Sequence, residues 1–375
     1  MADANAPISG PTNAPTERLR PRFKDKARAL AKRAVFEGGY RTGASKLLGQ
    51  KYRGTGAVFM FHEITASRDD RLGLGCTVAD FEATLSRIKR SGRDFVTLTE
   101  AKARLTNSDA RPFVALTFDD GYRDNIELAL PVMERFGAPA TIFVPTQMAT
   151  REIIAWWLAV RELVMLNGLI EVDAMARIFA CDSRAEKVAT YWQIIGWIWE
   201  DFRRASALAD VFERYGVDMP SLVARHAMDV DEVRQADKHA LIDIQAHTVS
   251  HTALATLSDA DALAEMVDNK RWLENLLQRD VPHFAYPYGR PAIGGEREAR
   301  LARQAGFDLA LTTDPGSLFA AHGAADNLHL WPRENGEFQT SVGAGVAWAL
   351  NGTWAAAKSR FGSPLVNINQ VEPAE

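Results

Sequence analysis

Two adjacent carboxylates, Asp119 and Asp120, end the run FVALTFDDG between Phe113 and Gly121. Like charges that close raise each other's pKa and are costly to hold together. A divalent cation removes that cost for one and leaves the other free as a base. Asp-Asp-Gly is also ordinary turn chemistry, so the pair alone leaves both readings open. Further on, AHTVSH carries His247 and His251. Histidines four apart lie on one face of a helical turn, where both imidazoles can meet one ion. Two histidines and one aspartate make an open zinc-type set with positions left for water and substrate. A lone histidine, His62, follows the run AVFMF, and a rim histidine with a structural role is its plainest reading.

The elements that must carry these residues follow from apolar patterning. Val114, Leu116 and Phe118 alternate with Phe113, Ala115 and Thr117, so both faces are apolar, as in a strand buried within a parallel sheet. Ala57–Phe61 reads the same way and delivers His62 and Glu63 to its C-terminal end. Thr77 is placed to cap a helix over Ala79–Arg90 that stops at Gly92. Phe95–Leu98 reads as a strand, with Thr99 opening a helix. A helix over Ile126–Phe136 contains Pro131, which should kink it. Strands are expected at Ala140–Val144, Leu241–Ala246, His283–Tyr286, Leu309–Thr312 and Leu328–Arg333. In the last, a regular strand would set His329, Trp331 and Arg333 on one face. Strand-helix alternation of this kind predicts a parallel sheet or barrel with its chemistry at the C-terminal strand ends.

The chain of 375 residues is 47% hydrophobic and 25% charged, with a net charge of -4, which excludes general nucleic-acid binding. Cys76 and Cys181 have no metal spacing and read as reduced thiols. No secretory signal is visible at the N-terminus, so a cytoplasmic location is expected. Residues 1–56 read as a disordered tail followed by a basic helical segment. Within it, residues 18–53 are either a solvated surface helix or a peripheral contact with an anionic membrane or glycan. Between 150 and 239 the rhythm changes to helix-like runs with Trp156, Trp157, Trp192, Trp197 and Trp199. This stretch reads as a helical insertion whose tryptophans form a small core, with sugar stacking or lipid contact as the alternatives. Residues 336–375 form a C-terminal extension.

TFDDGY, AHTVSH and FAYPYG, in that order, resemble the polysaccharide deacetylase family, the NodB-like carbohydrate esterases. VFMFHEI near the start resembles the circularly permuted branch of that family. The resemblance covers residues 57–149 and 240–335 and implies an α/β fold, a distorted (β/α)7 barrel interrupted by the Trp-rich insertion. It implies Asp119 as general base, with Asp120, His247 and His251 as ligands of Zn2+ or another divalent transition metal. It implies His62 as the acid that protonates the leaving amine, and a backbone N–H near Tyr288 that helps stabilise the oxyanion. Most of the family carries an arginine at the position of Ala285; in this branch Arg333 in LWPRE is similar to its substitute and would orient Asp119. His329 stands as a second candidate for the acid, or as a structural residue.

The function this implies is removal of N-acetyl groups from an amino-sugar glycan or lipid-linked saccharide during cell-surface polysaccharide synthesis. The alternatives are a deacylase of a small non-sugar amide or O-acetyl ester, and a catalytically silent glycan-binding protein.

Overall fold

The computed structural model describes residues 38–39, 41–67, 72–107, 109–290, 293–338, 341–360 and 362–368. The expected tail and most of the basic segment, residues 1–37, lie outside the described residues. The chain forms two compact units, one of which contains Trp156–Val217 and the other Phe23–Ala155 with Asp218–Glu375.

The larger unit is built on a parallel sheet of β1 (Gly56–Phe61), β2 (Asp94–Val96), β3 (Phe113–Phe118), β4 (Ala140–Val144), β5 (Ile242–Ala246), β6 (His283–Ala285), β7 (Leu309–Leu311) and β8 (Glu334–Asn335). Its strand order is β7-β6-β5-β4-β3-β1-β8, with β2 paired alongside the start of β3. Every residue of β1 and β3 is buried, as apolar runs on both faces require. The two strands pair in full register from Gly56 opposite Phe113 to Phe61 opposite Phe118. Gly56 permits this approach: a Cβ there would meet the Phe113 ring at 2.2 Å.

The chain from Leu328 to Gly336 joins the two ends of the sheet. Trp331 exchanges backbone hydrogen bonds with β7, donating to the Ala310 carbonyl at 3.0 Å and accepting from Thr312 at 2.9 Å. A few residues on, β8 pairs with β1, and the Gly336 N–H reaches Met60 O at 2.9 Å. A regular strand over Leu328–Arg333 does not form, because the segment must leave one edge for the other within these residues. Its three side chains consequently take separate environments. Trp331 joins the inner core with Val58, Ala115, Phe143 and Ala285. His329 is buried and hydrogen-bonds Phe307 O, while Arg333 turns to the rim.

Helices cover the outside of the sheet. They include α1 (Ala44–Gly49), α2 (Val78–Arg90) and α3 (Leu98–Leu105), and local signals set the starts of the last two. Thr77 caps α2 by accepting from the Asp80 N–H. Phe81 from α2 then packs on Phe61 and Phe118, with ring centroids 5.1 and 5.7 Å away. Fully burying such a ring stabilises by roughly 1.5–3 kcal/mol. The helix expected from Thr99 begins at Leu98, because Thr97 is extended and accepts from the Glu100 N–H. Pro131 lies in the first turn of α4 (Leu130–Phe136), which continues directly from a π-helical turn over Asn125–Ala129; the helical run expected over Ile126–Phe136 forms, and its irregularity falls just before the proline. Further helices are α5 (Asp259–Leu277), α6 (Glu296–Gln304) and α7 (Val342–Leu350).

The smaller unit is not helical throughout: Leu169–Val172 and Arg177–Ala180 form an antiparallel hairpin. Each strand is only four residues long, and the turn between them, Asp173 to Ala176, is mostly apolar, so no turn signal marked the hairpin. The tryptophans are not its core as a group. Trp156 is buried, but Trp192 and Trp199 are 41% and 38% exposed; the interior is instead supplied by residues such as Leu158, Ile170, Ile194 and Ile198.

Candidate active site

The C-terminal ends of β1, β3, β5 and β6 open onto one buried cluster. Asp120 Oδ1 lies 3.5 Å from His247 Nε2 and 3.1 Å from His251 Nε2. One ligand atom from each of these three residues falls within 4.8 Å of the others, and all three residues are buried.

The two histidines do not meet on a helical turn. They converge through an irregular loop after β5 in which Thr248 and His251 take positive φ of 69° and 57°. Asp120 (φ 72°) and Tyr288 (φ 61°) are left-handed too. Such conformations are strained for non-glycine residues, most of all β-branched threonine, and surrounding contacts must hold them. Two side chains one turn apart on α5 do so here. Glu265 accepts from the backbone N–H groups of Val249 and Ser250, both at 2.9 Å, and from Ser250 Oγ at 2.8 Å. Asn269 accepts from the His247 N–H at 2.8 Å and donates to Val144 O at 3.1 Å and Thr146 Oγ1 at 2.9 Å. Asn269 is a buried polar residue among the buried Ala262, Met266 and Leu273 of that helix, and it was missed in the sequence.

The donor chemistry of the cluster fits a cation. His247 Nδ1 is 2.6 Å from Ala285 O, so that nitrogen carries the proton and Nε2 presents its lone pair to Asp120. Burial pushes the His251 imidazole down, toward its neutral form, outweighing the opposing pull of Asp120. Asp120 Oδ1 is buried with no hydrogen-bond donor. An anionic oxygen facing imidazole lone pairs is unsatisfied without a positive ion between them.

Asp119 is buried beside this cluster, and Arg333 grips it with two hydrogen bonds, Nη1–Oδ1 at 2.7 Å and Nη2–Oδ2 at 2.8 Å. Arg333 is itself fully buried, with Nε donating to Thr312 O at 2.8 Å and Nη1 reaching Thr117 Oγ1 at 3.3 Å. Its guanidinium lies 5.8 Å from the Phe143 ring centroid. The small side chain at Ala285 belongs to the same inner cluster as Phe143. Burial works upward on the Asp119 carboxyl, but Arg333, then His247 and His62, outweigh it and hold the pKa below the usual carboxylate value. The carboxylate is therefore ionised and fixed in orientation.

His62 lies on the opposite side of the sequence from its partner, Glu337. Both the His62 N–H and its ring Nδ1 meet Glu337 Oε1, at 2.8 and 3.1 Å. Burial works downward on this imidazole, but Glu337, with Asp120 and Asp119, outweighs it and raises the pKa to about 10. The side chain keeps 37% of its surface exposed, so a protonated imidazole can still reach a bound molecule. Glu337 was missed in the sequence, where it closes the polar run RENGE and falls at the start of the stretch assigned to the C-terminal extension. The Tyr288 ring packs edge-on against His251 with centroids 4.8 Å apart. His329 is elsewhere, its Nε2 2.8 Å from Phe307 O and its own carbonyl accepting from Tyr286 Oη.

The fold is a parallel barrel with an Asp-Asp pair, two histidines and a held arginine gathered at its C-terminal rim. The model of the family described as polysaccharide deacetylase matches residues 106–310, more than half of the chain, and the chain belongs to that family. A curated relative, YxkH of Bacillus subtilis (strain 168), whose name places it in the same family, is 23% identical over 263 residues. The match takes in 69% of this chain and spans 65% of that relative's length. Among solved structures, the deacetylase PplD of Streptococcus pyogenes in complex with acetate is similar at 20% identity and TM-score 0.48, over 74% of this chain and 90% of that one. IcaB from Ammonifex degensii is similar at 17% identity and TM-score 0.49, over 79% of this chain and 97% of that one.

Proposed function

We propose that this protein is a metal-dependent hydrolase that removes N-acetyl groups from an amino-sugar glycan or lipid-linked saccharide, in the assembly of a cell-surface polysaccharide. The observation that carries this reading is the buried Asp120-His247-His251 cluster, set between an arginine-held carboxylate and a glutamate-held histidine. Asp120, His247 and His251 would hold a divalent cation such as Zn2+, which when bound supplies Lewis acidity to polarise an acyl carbonyl and acidify water.

Asp119 accepts the proton of the attacking water. Its depressed pKa makes it a weak base, so its contribution is a carboxylate always ionised and aimed by Arg333. His62 donates a proton to the departing nitrogen. An amine cannot leave as an anion at neutral pH, whereas an alkoxide from an ester needs less help. A histidine raised to about 10 and held by its own carboxylate therefore favours an amide substrate over an O-acetyl ester. The Tyr288 ring packs on His251 beside the ligand cluster, and a backbone N–H near Tyr288 would help stabilise the developing oxyanion. A purely glycan-binding role would leave the Arg333-Asp119 and Glu337-His62 pairs without work.

The test is acetate release from a fully N-acetylated chito-oligosaccharide by the purified chain, with its metal content measured alongside. Wild type should release acetate, and Asp119→Asn should retain metal while losing turnover. Unchanged turnover in Asp119→Asn would overturn the assignment.

A further inference from the structure

A second cleft lies at the other end of the barrel. Arg53, Arg93 and Pro112 precede β1, β2 and β3, whereas the residues around Asp120 follow these strands. The cleft has a volume of about 790 Å³ and is bounded by α1, the end of α2 and α7. Lys46, Arg53, Arg87, Arg90 and Arg93 line it, and no carboxylate does so among the described residues.

Part of this basic character has a local explanation. Arg87 and Arg90 sit in the last turn of α2, where cations offset the helix dipole. That does not account for Arg53 or Arg93. Arg93 is 7% exposed and its Nη1 and Nη2 donate to backbone carbonyls, Thr55 O at 3.1 Å and Leu350 O at 2.9 Å. Burial, and then the nearby Arg53 charge, push the Arg93 guanidinium down to about 10. Buried cations are ordinarily paired, so a buried arginine pressed by a like charge is stabilised by an anion.

We propose that this cleft binds a phosphate-bearing anion, with a diphosphate or phosphomonoester group seated among Lys46, Arg53, Arg90 and Arg93. Guanidinium forks match phosphate oxygens in pairs, and convergence of several cations suits a ligand with more than one negative charge. The volume exceeds what a lone phosphate fills and lies within the usual range for organic ligands. Ala347 and Leu350 supply an apolar wall, and Leu47 at the mouth is 78% exposed. This site is separate from the hydrolytic one and does not depend on its chemistry.

The shared chemistry has two sources, a soluble phosphate compound and a lipid headgroup, which the experiment separates. Inorganic diphosphate is titrated into the full chain by calorimetry, and co-sedimentation compares phosphatidylcholine vesicles with vesicles also carrying phosphatidic acid. The charge reversals R53E/R90E and K46E/R90E are run in parallel, with melting curves as the folding control. Saturable diphosphate binding weakened at least about tenfold by R53E/R90E supports the site. Sedimentation with phosphatidic acid vesicles, competed by diphosphate, assigns it to a headgroup; diphosphate binding without sedimentation assigns it to a soluble ligand. If R53E/R90E does not fold, K46E/R90E carries the comparison. Absence of both diphosphate and vesicle binding, or equal binding by a folded reversal variant, overturns the proposal.

Discussion

Replacing Glu337 by Gln isolates the proposed acid from the rest of the site. The substitution keeps the shape of the side chain and removes the charge that meets both the His62 N–H and Nδ1. Glu337 is the largest influence raising this imidazole, so its loss returns the pKa from about 10 toward the ordinary 6.5. An acid of pKa 10 is about 99% protonated at pH 8, and one of 6.5 only about 3%, so turnover at pH 8 should fall about thirtyfold. At pH 6 the same arithmetic gives a loss of less than about twofold. The assay is acetate release from a chito-oligosaccharide across pH, where the alkaline limb should move toward neutrality in the variant.

Stability provides a second reading of the same group. Because folding raises this pKa, its contribution to stability is complete below about 6.5 and is lost as pH rises through about 10. Denaturant curves should therefore show wild type ahead of Glu337→Gln at low pH, with the gap closing on the alkaline side. An unmoved alkaline limb, or an equal loss of turnover at pH 6 and pH 8, refutes the assignment of His62 as an acid tuned by Glu337.

Arg333→Met should destabilise the fold by about 3–5 kcal/mol in urea titration, since it strands the buried Asp119 carboxylate. Chelation should abolish acetate release and lower the melting temperature, and His251→Gln should lower bound metal as measured by elemental analysis. Asn269→Ala removes the acceptor of the His247 N–H and two donor contacts; it should cost about 1–3 kcal/mol in urea and weaken metal binding in a competition assay about tenfold or more.

The strands of the barrel were legible wherever burial on both faces left an uninterrupted apolar run, as in Phe113–Phe118 and Ala57–Phe61. Helix starts were legible where a threonine faced an acidic residue three positions on; choosing Thr99 over Thr97 overlooked Glu100. The histidine pair was picked out by a spacing rule for helices, yet the residues come together through strained loop backbone. That geometry depends on Glu265 and Asn269, whose bearing on the loop is a tertiary fact with no local signature. Glu337 escaped for the same reason: it lies 275 positions from His62 and nothing in its neighbours marks it. The irregular path of Leu328–Arg333 was out of reach too, because it answers to two sheet edges at once.

That crossing segment ties the order of folding to the onset of chemistry. Arg333 and Glu337, which hydrogen-bond Asp119 and His62, both come from a stretch late in the chain and meet partners more than two hundred residues earlier. A nascent polypeptide carrying the two aspartates and both ligand histidines would still lack an aligned base and a charged acid. On the proposed mechanism, hydrolytic competence would arrive only when that segment is seated, and damage to that seam should silence turnover before the rest of the barrel melts.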